Sequence, residues 1–92
     1  MSLDVNAASV FRVNLNANIT ALSLANVTAG RVTTRQMELL GDGTQRTIAW
    51  GTWTVVTGTP VPTLTSGRKD IYDIRTDGTN VLVWLTAQNV AV

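Results

Sequence analysis

The chain has no cysteine, no histidine and only two prolines, and 14% of its 92 residues are charged. The missing cysteine excludes disulfides and thiol chemistry and leaves the redox compartment open. The missing histidine removes the commonest general base and metal ligand. A net charge of +1 supplies no pull on nucleic acid or anionic lipid. No window approaches the ~20 apolar residues that a membrane span needs. The opening MSLDVNAASVFRVNL lacks a basic stretch followed by an apolar run, so no export signal is read there. The glycosylation-like triplets at Asn18 and Asn26 are accordingly read as chance. Nucleic acid, membrane and cofactor are therefore not expected as partners.

What the chain does have is apolar residues, 45% of the total, with Thr and Val prominent. Soluble domains average about 25% charged residues. A surface this poor in charge either carries its polarity on Thr, Asn and Ser or is covered by a partner. Ninety-two residues make one domain, small enough that oligomerisation is a usual route to further burial. A single β domain spanning 1–92 is expected, with residues 1–8 as an N-terminal arm and 87–92 as a C-terminal tail.

Branching at Cβ favours extended backbone, and the patterning agrees. In SVFRVNL, Ser9, Phe11, Val13 and Leu15 share one face, as on a half-buried strand. The Asn-rich turn after it and ITALSL read as the rest of an N-terminal hairpin. RVTTRQMELL reads as a strand because Val32, Thr33 and Thr34 disfavour a helix. GDGT is a hairpin turn signal, with QRTIAW expected to return beside that strand. Pro60 and Pro62 cannot donate to a ladder, which places GTWTVVTGTPVPTLTSG in a loop or at an edge. KDIYDIRT and NVLVWLTAQ flank the turn Asp77-Gly78-Thr79 and form the clearest hairpin. Its second strand is apolar on both sides, Val81, Val83 and Leu85 opposite Leu82 and Trp84, so one side is expected to meet another subunit. The expected fold is all-β, an antiparallel β-sandwich or jelly-roll-like barrel of about seven or eight short strands.

The acidic complement is Asp4, Glu38, Asp42, Asp70, Asp73 and Asp77. Asp42 and Asp77 sit where Asp caps its own turn. Asp70 and Asp73 would make a glycosidase pair only if they faced each other. Residues three apart on a strand face apart, so no enzyme is read here. Asp73 with Arg75 reads as a surface ion pair worth about 0–1 kcal/mol, and Ser66 to Lys69 as a solvated basic turn. Trp50 and Trp53 read as core or subunit contacts, with a sugar-stacking platform as the alternative.

Taken in order, FRVNLNANITALSLANVTAG, LLGDGTQRTIAW and PTLTSGRKDIYDIRTDGTNVLVW resemble a small β module of tailed-bacteriophage virion proteins, tail-fibre-like proteins among them. The resemblance is carried by Leu15 and Asn16, Asp42 and Gly43, Arg46 to Trp50, Pro62 to Thr65, Asp70 to Tyr72, and Asp77 to Thr79. It spans about residues 9–86 and rests on the order of these elements, none of which is specific alone. TWTVVTGTPV stands where the family often has a second Trp-Pro-Gly-Gly run, and VWLTAQNVAV where its last strand often ends in an aromatic-Gly pair.

The resemblance implies a virion structural role as a homo-oligomer, with no catalytic residue or cofactor to carry over. Fibre modules close long chains, whereas here a start methionine opens the module and NVAV follows it. The expectation is therefore a capsid decoration (cement) protein on the virion surface. It would be a homotrimer at a symmetry axis, bound to the major capsid protein or another virion protein. The expected interface is Val81, Val83, Trp84, Leu85, Val90 and Val92. A tail-fibre or tail-tip domain that binds a host-surface glycan, with Trp50 and Trp53 as stacking aromatics, is the alternative. For an excised fragment the preference reverses.

Overall fold

The structure is a computed structural model that describes residues 1–58 and 60–92. Thr59, inside the expected loop segment, lies outside the described residues. Among these the chain is all-β and sandwich-like, with seven strands and no helix. They are β1 (Ser2–Asp4), β2 (Val10–Asn14), β3 (Ser23–Ala25), β4 (Thr33–Leu40), β5 (Thr54–Val55), β6 (Arg68–Thr76) and β7 (Val81–Ala91). A five-stranded sheet runs β2-β4-β6-β7-β5, and β1 pairs with β3 in a second, two-stranded sheet.

Pairing is mixed, which corrects the expectation of an antiparallel sandwich. β4–β6 and β6–β7 are antiparallel, whereas β2–β4, β5–β7 and β1–β3 are parallel. The N-terminal hairpin does not form. A parallel pair needs a crossover of a dozen or more residues, and residues 15–32 supply it between β2 and β4. That crossover carries β3 and places Ile19, which makes an isolated parallel bridge to Ile48. QRTIAW does not return beside β4 either. β6 takes that place along a ladder from Thr33↔Thr76 to Leu40↔Lys69, and Gly43 N–H instead donates to Leu64 O at 2.6 Å. The longer ladder, which brings Tyr72 and Ile74 beside β4, outweighs the local turn.

Period-2 alternation sorts the large sheet into two faces. Phe11 and Val13, Met37 and Leu39, Tyr72 and Ile74, and Val81, Val83 and Leu85 point inward, where they meet Leu3, Leu15, Ile19, Ile48, Trp50 and Trp53. Each fully buried aliphatic side chain here stabilises by about 1.5–3 kcal/mol. Trp50 lies over Tyr72 with ring centroids 5.4 Å apart at 54°, a tilted arrangement favoured by the ring quadrupoles.

The segment expected as an N-terminal arm is part of this sandwich. Leu3 and Val5 are buried, the terminal ammonium donates to Ala21 O at 2.6 Å, and Arg35 ties β4 to Val5 O with bonds of 2.9 and 2.7 Å. Residues 87–91 likewise continue β7 beside Arg68 and Lys69 instead of forming a tail.

The β6–β7 hairpin forms as expected. Asp77 Oδ1 accepts from Thr79 N and Asn80 N at 2.9 and 2.7 Å, and these bonds, the one from Asn80 first, hold its carboxyl below the ordinary value. Gly78 has φ +90°, and a Cβ there would overlap the Thr28 carbonyl, so only glycine lets the crossover rest on this turn.

Candidate interaction face

The outward face of the large sheet is covered by no other part of the described chain, and the ladder registers fix its layout. One row across the strands reads Thr34 (β4), Arg75 (β6), Leu82 (β7) and Thr54 (β5). The next reads Val10, Gln36, Asp73 and Trp84. A third reads Arg12, Glu38 and Ile71, and a fourth Asn14, Leu40, Lys69 and Val90. An open groove of about 500 Å³ lies over the first two rows, lined among others by Val10, Gln36, Arg75 and Trp84.

In the third and fourth rows one acid, Glu38, is shared by two bases. Glu38 accepts from Lys69 Nζ at 3.1 Å and from Arg12 Nε at 3.2 Å. The Lys69 bond holds its carboxyl below the ordinary value against the opposing effect of burial, and Arg12 adds to the lowering. The basic turn read from Ser66 to Lys69 is thus partly tied down, since Arg68 also reaches Asn89 O at 3.4 Å.

The second row behaves differently. Asp73 accepts from Gln36 Nε2 at 3.3 Å. The ion pair expected between Asp73 and Arg75 is absent, because the salt bridges among the described residues are Arg12–Glu38, Arg46–Asp42 and Lys69–Glu38. Side chains two apart on an extended strand stand side by side and need not converge. Arg75 is exposed and left without a carboxylate.

Asp70 points the other way, as the alternation requires. It is fully buried and accepts from Thr63 N (2.8 Å), Thr63 Oγ1 (2.6 Å) and Asn89 N (3.0 Å). It thereby fastens the Pro62–Thr65 segment and the bulged end of β7, where Asn89 has φ +58°, to the middle of the fold. Asp42 accepts from Arg46 (2.6 Å) and Thr44 N (3.1 Å), and these bonds hold its carboxyl low, the Arg46 bond foremost. Among the described residues no cluster of acidic side chains has the makings of a metal site.

One expectation about site residues needs correction. Of the expected interface set, Val83 is fully buried within its own chain, and Val81 and Leu85 pack partly buried against the same core. They point inward because the alternation of β7 matches Ile74 and Tyr72 opposite them. Trp84 is half-buried on the open face, Val90 lies beside Lys69, and Val92 is exposed at the end of β7. Leu82 is the apolar open-face residue that the expected set omitted, although the same alternation pointed to it.

Trp50 and Trp53 are 8% and 7% exposed and belong to the core, as the first reading of them has it. Gly51 at φ +61° turns the backbone and Trp53 N–H closes onto Trp50 O at 3.1 Å, so both side chains go inward and neither offers an aromatic face to a sugar. Compared with protein-family models, curated proteins and solved structures, the chain matches none of them.

Proposed function

We propose that this protein is a structural component of a tailed-bacteriophage virion, a homo-oligomeric capsid decoration protein that binds the shell. The observation that carries the reading is the uncovered sheet face, on which Trp84, Leu82, Ile71 and Val10 stand among charged residues of both signs. Such a mixture suits contact between proteins, where aromatic and Arg side chains anchor and charges set register. The sequence resemblance over residues 9–86 supplies the virion context. With Trp50 and Trp53 in the core, the tail-fibre alternative loses the aromatics it needed for a sugar.

Gold-labelled antibody against the chain, applied to purified virions, tests the reading. Label over the capsid is expected, together with rebinding of the purified chain to shells stripped of it. Label at the tail, or saturable binding on a glycan array without shell binding, would favour the fibre alternative. Particles that lack the protein altogether would overturn the virion role.

A further inference from the structure

The rows Thr34–Arg75–Leu82 and Gln36–Asp73–Trp84 lie next to each other on the open face. Strand by strand, each row offers the complement of the other. β7 sets Leu82 beside Trp84, apolar with apolar. β6 sets Arg75 beside Asp73, base with acid. β4 sets Thr34 beside Gln36, hydroxyl with amide. Consider a two-fold axis lying in the plane of the face, across the strands and between the two rows. Rotation about it lays each row on the other row of a second copy. Trp84 then meets Leu82 of that copy, Asp73 meets Arg75, and Gln36 meets Thr34.

We propose that two copies of this chain pair face to face about this axis, through reciprocal Asp73–Arg75 ion pairs flanked by Trp84–Leu82 contacts. Two observations and a packing rule support the second copy as occupant. Neither Asp73 nor Arg75 has a salt-bridge partner in its own chain among the described residues. The groove of about 500 Å³ over these rows leaves room for interdigitating side chains. Aligned sheets also pack face to face at about 10 Å with side chains interleaved, and an isologous contact must complement itself in this manner. The pairing is two-fold, whereas the sequence-based expectation is a trimer. It stands on the face alone and holds whether or not the chain is a virion component.

Charge reversal tests it. The wild-type chain is expected to sediment as a dimer at micromolar concentration. D73R and R75D should each be monomeric, with the dissociation constant raised about 100-fold or more by like charges. R75Q, a milder change at an exposed side chain, should weaken the dimer to a smaller degree. An equimolar mixture of D73R and R75D should regain the dimer, because one copy then sets two bases over two acids of the other. Melting curves check that each variant folds. The pairing is overturned by a monomeric or trimeric wild type, by reversals that leave the dimer intact, or by a mixture that stays monomeric. A monomeric wild type would also remove the homo-oligomeric part of the proposed function, whereas the virion role itself is read separately, from labelled particles.

Discussion

Tyr72 stands at the centre of the core, fully buried under Trp50, and its hydroxyl meets no hydrogen-bond partner among the described residues. Burial first, and the charge of Asp70 second, push its phenol well above the ordinary value of 10.0. A folded-state value that is raised contributes stability that is fully present below the unfolded value and is lost as pH rises past it, because only the unfolded chain releases the proton readily. Tyr72→Phe keeps the ring and removes an unpaired polar group. Its unfolding free energy at pH 7 is expected within about 1 kcal/mol of wild type, and its melting temperature should fall less steeply above pH 10. A drop of many degrees at neutral pH would show that the hydroxyl is bonded after all. The strand and the inward face of Tyr72 were legible from alternation with Asp70 and Ile74. The unpaired hydroxyl was not, because it depends on what the opposite layer sets against it.

Between elements, Asp70 is the main polar fastening. Its two oxygens hold the backbone of Thr63 and Asn89 and the Thr63 hydroxyl, linking the Pro62–Thr65 segment and the last turn of the sheet ladder to β6. Asp70→Ala leaves these part-buried donors without their acceptor and is expected to cost about 2–4 kcal/mol in urea unfolding. Asp70→Asn keeps one acceptor oxygen and should cost about 1–2 kcal/mol. Equal, small losses in both variants would mean that the segment is held by its other contacts. Gly41 acts in the same region. A Cβ there would stand 2.7 Å from Thr65 O and 2.8 Å from Thr63 O, so the 41–43 turn seats the segment only as glycine. Alternation along the strand puts Asp70 and Asp73 on opposite faces, and the structure bears this out. Thr63 as the partner was not legible in the sequence, because that contact is made where a loop folds back.

For the molecule as a whole, the carboxylates bear on acid stability. Hydrogen bonds hold Asp4, Glu38, Asp42 and Asp77 below their ordinary values of 3.8, 4.5, 3.8 and 3.8, from Asn26, Lys69, Arg46 and the Asn80 backbone N–H respectively in the first place. A lowered folded value contributes stability that is present above the unfolded value and is lost as pH falls through the folded one. Melting temperature should therefore be flat from about pH 7 to 5 and fall below pH 4.5. High salt should soften the fall, since these groups lie near the surface. A melting temperature that rises on acidification would contradict the network. The chain has only six carboxylates, so the decline should be gradual.

The β class, the alternation of β2 and β6, the Asp77 turn and the β6–β7 hairpin were determined by the sequence alone. Each depends on neighbours a few residues apart, and Cβ branching, side-chain period and turn chemistry act at that range. Tertiary structure alone decided the parallel partners of β1, β2 and β5, the capture of β4 by β6, the Gly51 turn that sends Trp50 and Trp53 inward together, and the order of residues across the open face. Period 2 tells a side chain which face it shares with its own strand. It does not tell the strand which neighbour it pairs with. That choice falls to whichever ladder buries most and bonds longest, and here the competing ladders join residues tens of positions apart.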